Sequence, residues 1–220
     1  MDFPIISLGT NCEITFNLRK CFGIDKSYPF DWLITPIESV SSILRNRFEI
    51  DLTCENLEIV GDGKSVINKK YRILHHHDFI RSNNGAISGS WQDEIESVRS
   101  KYIFLSSRFF DDISSTKRAI FVVNRDGGHD WLERPKGYAL SSSYAAIASE
   151  IRRTFPGLNF RLAVFNATDE GVRQVSAEDG AIWVSPSIID YGDREGGEQA
   201  HFAGSLRGWE EALKRAVADF

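Results

Sequence analysis

The chain has 220 residues, 42% of them hydrophobic and 12% aromatic, which supplies enough apolar side chain for a sizeable core and excludes a disordered or fibrous protein. Its formal charge of −5 is spread without long like-charge runs, and no basic patch interleaved with aromatics occurs, which argues against a nucleic-acid surface or an anionic membrane partner. There is no basic-then-apolar leader and no run of about 18 apolar residues, and the three cysteines Cys12, Cys21 and Cys54 include no C-x-x-C pair, so a soluble cytoplasmic protein without disulfide framework or zinc ribbon is expected.

The first element runs Phe3-Pro4-Ile5-Ile6-Ser7-Leu8, breaks at Gly9, offers Thr10 and Asn11 as N-cap candidates, and resumes with apolar residues at Cys12, Ile14, Phe16 and Leu18. This pattern predicts strand, tight turn and a helix ending near Gly23, with Cys12 in its first turn. The unpaired N–H groups and positive dipole of a helix start favour an anion, and thiolate is the reactive form of cysteine. The alternative for Cys12 is a small packed hydrophobe.

Tyr28-Pro29-Phe30-Asp31-Trp32 is too aromatic for a casual linker and reads as packed core or as the wall of a site. Thr35-Pro36-Ile37-Glu38 reads as a capping box with proline at the first helical position, opening a helix with Ile37, Val40, Leu44 and Phe48 on one face. A short strand is expected at 57–60, a turn at Gly61-Asp62-Gly63, and a further strand at Tyr71–Leu74 that carries His75-His76-His77-Asp78 at its far end. From Trp91 to Ile113 apolar residues recur every three or four positions, predicting a long amphipathic helix with Arg99 and Arg108 near its ends.

The second half alternates apolar strands (118–124, 160–166, 181–185) with helices (about 142–155, and a closing helix through Leu206, Trp209, Leu213 and Val217). Continuous apolar strands separated by helices predict an α/β three-layer sandwich, a mostly parallel sheet covered on both faces, with no linker dividing the chain. In such a sheet ligands bind beyond the carboxyl ends of the strands. Cys12, His77, Asn124, Asn166 and the loop after Ser185 all follow predicted strands.

Nucleophilic catalysis by Cys12 needs a base and a group to orient that base. His77 ends its strand and precedes Asp78, whereas His75 and His76 point to opposite faces. His201, in Glu198-Gln199-Ala200-His201 before the last helix, is a second candidate, with Glu198 as its orienting carboxylate. The three adjacent histidines also fit a solvated strand end or an adventitious metal site, but no acidic or cysteine ligand stands at a diagnostic spacing, so neither metal nor other cofactor is expected.

Ser7-Leu8-Gly9-Thr10-Asn11-Cys12 with Leu18-Arg19, then Tyr28-Pro29-Phe30-Asp31-Trp32, and later His77-Asp78-Phe79, resemble a family labelled papain-like cysteine peptidases. The resemblance is specific over roughly the first 80 residues and looser through Lys101-Tyr102, Arg108-Phe109 and the Phe121 strand. It implies Cys12 as nucleophile, His77 as base, and Asp31 or Asp78 as orienter. No glutamine precedes Cys12, so an oxyanion hole would come from the Cys12 N–H with Asn11 or Asn124. The order of a first-turn nucleophile, Asn124 after a strand, and Glu198-x-x-His201 before the last helix is similar in layout to SGNH hydrolases.

Two other functions compete. In a binding protein the Trp32 and Trp183 aromatics, with Arg19 nearby, would wall a pocket for a small molecule, glycan or peptide. A group-transfer enzyme would use Arg19, Arg108 and Arg125 as phosphate contacts, but no G-x-G-x-x-G or Walker loop is present.

Overall fold

The structure, a computed structural model, describes residues 2–124, 139–167, 170–190, 203–218 and 220. Four strands, β1 (Ile5–Ser7), β5 (Arg118–Asn124), β6 (Asn159–Phe165) and β7 (Ile182–Val184), pair in that order into a parallel sheet. A separate antiparallel sheet joins β2 (Leu57–Val60), β3 (Ser65–Asn68) and β4 (Ile73–His75).

The parallel sheet forms because its strands are apolar on both faces, and the period of two sends alternate residues into two cores. Ala119, Phe121 and Val123 of β5, with Phe160, Leu162 and Val164 of β6, enter one core, while Ile120, Val122, Ala163 and Phe165 enter the other. The second core is closed by α1 (Glu13–Phe22) through Ile14 and Leu18, and by α6 (Leu206–Ala218) through Trp209, Ala212, Leu213 and Ala216. The first is closed by α2 (Ile37–Arg45), α3 (Ile95–Ser114), α4 (Leu140–Thr154) and α5 (Glu170–Glu178). Helices on both faces of a parallel sheet make the expected three-layer α/β sandwich. Leu57, Val66 and Ile73 of the antiparallel sheet join the first core.

Several local expectations change in detail. Gly23 closes α1 in the left-handed conformation, as expected, but the N-cap is Cys12, and it is the Asn11 side chain that accepts the Glu13 N–H at 3.0 Å. The predicted capping box is not built: Pro36, not Thr35, is the N-cap of α2, without a side-chain cap bond, and the Thr35 hydroxyl is buried. Phe48 lies past the end of α2 with φ 59°, yet reaches the core it was expected to join, against Phe30 and Phe109. The Gly61-Asp62-Gly63 turn, with positive φ throughout, closes the β2–β3 hairpin. Two elements, β3 and α5, had no sequence expectation.

The larger correction concerns the histidines. Their strand, β4, pairs antiparallel with β3 and bridges Ile34 through Leu74, so it does not belong to the parallel sheet. Its end therefore does not share the carboxyl edge with β1, β5 and β6. Among the described residues no helix is long and apolar enough to cross a membrane.

Candidate active site

The chain leaves β1 at Ser7 and turns through Gly9, whose φ of +88° favours glycine; a Cβ there would lie 3.3 Å from Thr35 Cβ. The Thr10 carbonyl accepts the Thr35 N–H at 2.8 Å, so this turn is fastened to the segment entering α2. Cys12 follows, half-buried, and its carbonyl accepts the first helical hydrogen bond from Phe16 at 3.0 Å.

Burial pushes the Cys12 thiol above its ordinary value; its own backbone N–H works against this and the neighbouring Glu13 carboxylate adds to it. The helix start alone therefore does not yield a thiolate, and at neutral pH the sulfur keeps its proton.

Glu13 is 3% exposed and reaches the carboxyl edge of the sheet. Asn124 Nδ2, at the end of β5, donates to its Oε2 at 2.8 Å, and Asn166 Nδ2, just past β6, donates to Asn124 Oδ1 at 2.8 Å. Asn166 holds this position with φ 54°, a conformation asparagine tolerates better than most side chains. Asn17 Nδ2 bonds the carbonyls of Glu13 and Ala203. The Asn124 amide is thus tied into a buried network, whereas Asn11 uses only its Oδ1, on Glu13 N, and no described residue accepts from its Nδ2.

Cys12, Thr15 and Arg19 share one stripe of α1 by helical spacing. Arg19 lies over the Trp32 ring at 5.1 Å and donates to Ser27 Oγ at 2.8 Å. On Trp32 the exposed His77 stands edge-on, with ring centroids 5.8 Å apart. Arg19, Trp32 and His77 are therefore brought together, with Arg19 roughly 10 Å along the helix from Cys12. Burial, then Arg81 and Lys101, lower the His77 value against the pull of Asp78, so its ring is neutral at pH 7.

The carboxylates expected to orient His77 are engaged elsewhere. Asp31 accepts the Tyr28 N–H at 2.8 Å and closes the Tyr28–Asp31 turn; burial lifts it to about 6, opposed by that N–H and by Thr15 and Arg19. Asp78 turns to His75: Oδ2 accepts from His75 Nδ1 at 2.7 Å and from Tyr102 OH at 2.7 Å, while Lys101 Nζ donates to Oδ1. Burial alone would raise the Asp78 value, but His75 and Lys101 hold it well below the usual carboxylate range. His76 Nδ1 faces Ser65 Oγ at 2.8 Å.

Glu198, His201 and Arg125 lie outside the described residues. Trp183 packs on Phe165 at 6.1 Å in the second core. Among the described residues no three His, Cys, Asp or Glu side chains are grouped to hold a metal ion. Sequence reasoning missed two buried residues that anchor these hydrogen-bond networks. Glu13 looked like an ordinary first-turn acid, and the only hint was that asparagines end two successive apolar strands. His75 was set aside on strand alternation, which is what turns it inward.

An uncharacterized protein of Acanthamoeba polyphaga mimivirus, R408, is 26% identical over 141 residues, covering 55% of this chain and 61% of that protein. The chain thus spans less than two thirds of that relative's length. No solved structure matches. Residues 4–170 match the family described as "Putative papain-like cysteine peptidase", well over half of the sequence, and the chain belongs to that family.

Proposed function

We propose that the protein is a cysteine-dependent hydrolase or acyl transferase in which Cys12 attacks the carbonyl carbon of a small-molecule, glycan or peptide substrate. At the coarse level of a papain-like cysteine hydrolase, the family description supports the reading. The observation that carries the finer assignment is the placement of Cys12. It sits half-buried where α1 opens, with its own N–H directed to the sulfur, and no described residue accepts from the Nδ2 of the preceding Asn11.

Because the sulfur stays protonated, reaction needs a base during attack in place of a standing thiolate. A histidine takes the Sγ proton as the C–S bond forms. The carbonyl oxygen, now an oxyanion, accepts from the Cys12 N–H and Asn11 Nδ2. Collapse of the tetrahedral adduct expels the leaving group, which recovers the proton, and leaves a thioester on Cys12. Water completes hydrolysis; an amine or alcohol completes transfer.

The test uses p-nitrophenyl acetate as an unspecific acyl donor, with intact mass and peptide mapping as readout. One acetyl group on Cys12 in the native chain and none in Cys12→Ala is expected. Acetylation spread equally over Cys21 and Cys54, or absent, overturns the assignment.

A further inference from the structure

We propose that Arg19 and Arg108, beside Trp32, form a subsite for an anionic oxygen group, carboxylate or phosphate, on the substrate that Cys12 attacks. The inference rests on the cysteine reading above and names the substrate class for that site.

Three observations carry it. First, one residue gathers the two guanidinium groups: Arg19 Nη2 donates to Ser27 Oγ at 2.8 Å, and Arg108 Nη1 donates to the Ser27 carbonyl at 3.1 Å. Arg19 comes from α1 and Arg108 from α3, so Ser27, between α1 and α2, brings two helices to one point. Each group also lies on an aromatic ring, Arg19 on the half-buried Trp32 at 5.1 Å and Arg108 on the exposed Phe104 at 4.5 Å. Stacking fixes the guanidinium plane and holds its N–H fork ready, the geometry in which arginine grips a carboxylate or phosphate with two hydrogen bonds.

Second, the forks are left over. Ser27 occupies one nitrogen of each arginine, and among the described residues neither forms an ion pair. The neighbouring acids are committed elsewhere. Asp31, which feels the Arg19 charge, accepts from Tyr28 N–H; Asp112 meets Tyr28 OH and Lys26; Asp78 meets His75, Tyr102 and Lys101. Arg45 and Arg152, by contrast, each reach a carboxylate, on Glu150 and Asp179. In a chain of formal charge −5, two arginines side by side without a counter-ion leave a place for one from outside.

Third, the surface around Trp32 is positive and stands in line with the nucleophile. His77, edge-on to Trp32, has its value lowered by burial and then by Arg81 and Lys101, against the pull of Asp78. Arg19 lies two turns of α1, roughly 10 Å, along the stripe that begins at Cys12. An anion held there sets a substrate carbonyl at the sulfur when about three extended residues, or an acyl chain of equal length, separate the two.

The test compares Cys12 acylation by mono-p-nitrophenyl suberate, whose free carboxylate stands about that far from the ester, with p-nitrophenyl octanoate, its uncharged counterpart. Both are run on the native chain, Arg19→Gln, Arg108→Gln and, as a distant control, Arg45→Gln. An about 10-fold slower suberate reaction in Arg19→Gln and Arg108→Gln is expected, with octanoate unchanged and Arg45→Gln native-like. Equal effects on the two esters, or the same loss in Arg45→Gln, overturn the subsite and leave the cysteine reading intact. Acylation of Cys12 by neither ester overturns the cysteine reading. In that case, or should the arginine variants not fold, the native chain is titrated with inorganic phosphate and, separately, with acetate at constant ionic strength. A saturating shift of the Trp32 indole N–H resonance supports the subsite and tells which anion it prefers; no saturating shift with either overturns it.

Discussion

The Asp78 clamp makes a stability prediction that is independent of any reaction. Replacing Asp78 with alanine leaves two fully buried donors, His75 Nδ1–H and Tyr102 OH, without an acceptor. Each orphaned donor costs roughly 1–3 kcal/mol. Lys101 is 40% exposed along its side chain and regains water, so it adds little. The sum is about 2–6 kcal/mol, which brackets the cost of breaking a buried charged pair and is a large share of a domain's total stability. With a urea slope of about 2 kcal/mol per molar, the unfolding midpoint falls by about 2 M at pH 7. Asp78→Asn keeps one acceptor for Tyr102 but offers an N–H to His75, so its cost is intermediate. The carboxylate's folded value is depressed below 3.8, so its contribution is complete above about pH 5 and is lost progressively as pH falls toward the folded value. The native advantage over Asp78→Asn must therefore shrink between pH 5 and about pH 2. A deficit in Asp78→Ala under about 1 kcal/mol at pH 7, or one that does not shrink in acid, refutes the clamp.

Two further outcomes follow from single groups. Asp31 is lifted from 3.8 to about 6, so in the folded chain it prefers the protonated form; its contribution is full below about pH 4 and is lost as pH rises through 6. Asp31→Asn removes that loss while keeping an acceptor for Tyr28 N–H, and should gain about 3 kcal/mol on the native chain between pH 4 and 7; parallel urea curves across that range would sink the account. Gly9→Ala places a Cβ 3.3 Å from Thr35 Cβ at a φ of +88°, and should cost about 1–2 kcal/mol in thermal unfolding and slow Cys12 acylation through the Thr10–Thr35 bond. An unchanged midpoint would show that the turn is free to adapt.

The candidate site was legible in part. Cys12 at a helix start, Gly23 as its C-cap and the packing of Tyr28 and Phe30 into the core, one of the two readings of that aromatic stretch, all follow from residues within a few positions of each other, where spacing carries the information. The identity of the oriented histidine did not. Strand alternation predicts that His75 and His76 face opposite ways, but which side is the interior depends on β3 and on Ile34, which pair with β4 across the chain. The sequence pattern also assigned Asp78 to its nearest plausible partner, His77, whereas a turn after β4 brings it back three residues to His75.

What the amino-acid order determined by itself is the layered α/β plan. The apolar runs of β5 and β6 and the three-to-four spacing of α3 and α6 leave few other ways to bury those faces. What only tertiary structure decided is the polar wiring. Tyr102 reaches Asp78 across 24 positions, Asn166 reaches Asn124 across 42, and Asn124 reaches Glu13 across 111. Apolar burial depends on periodicity, which is local; a buried hydrogen bond depends on which two atoms the finished packing sets within 3 Å or so of each other, and no local pattern encodes that.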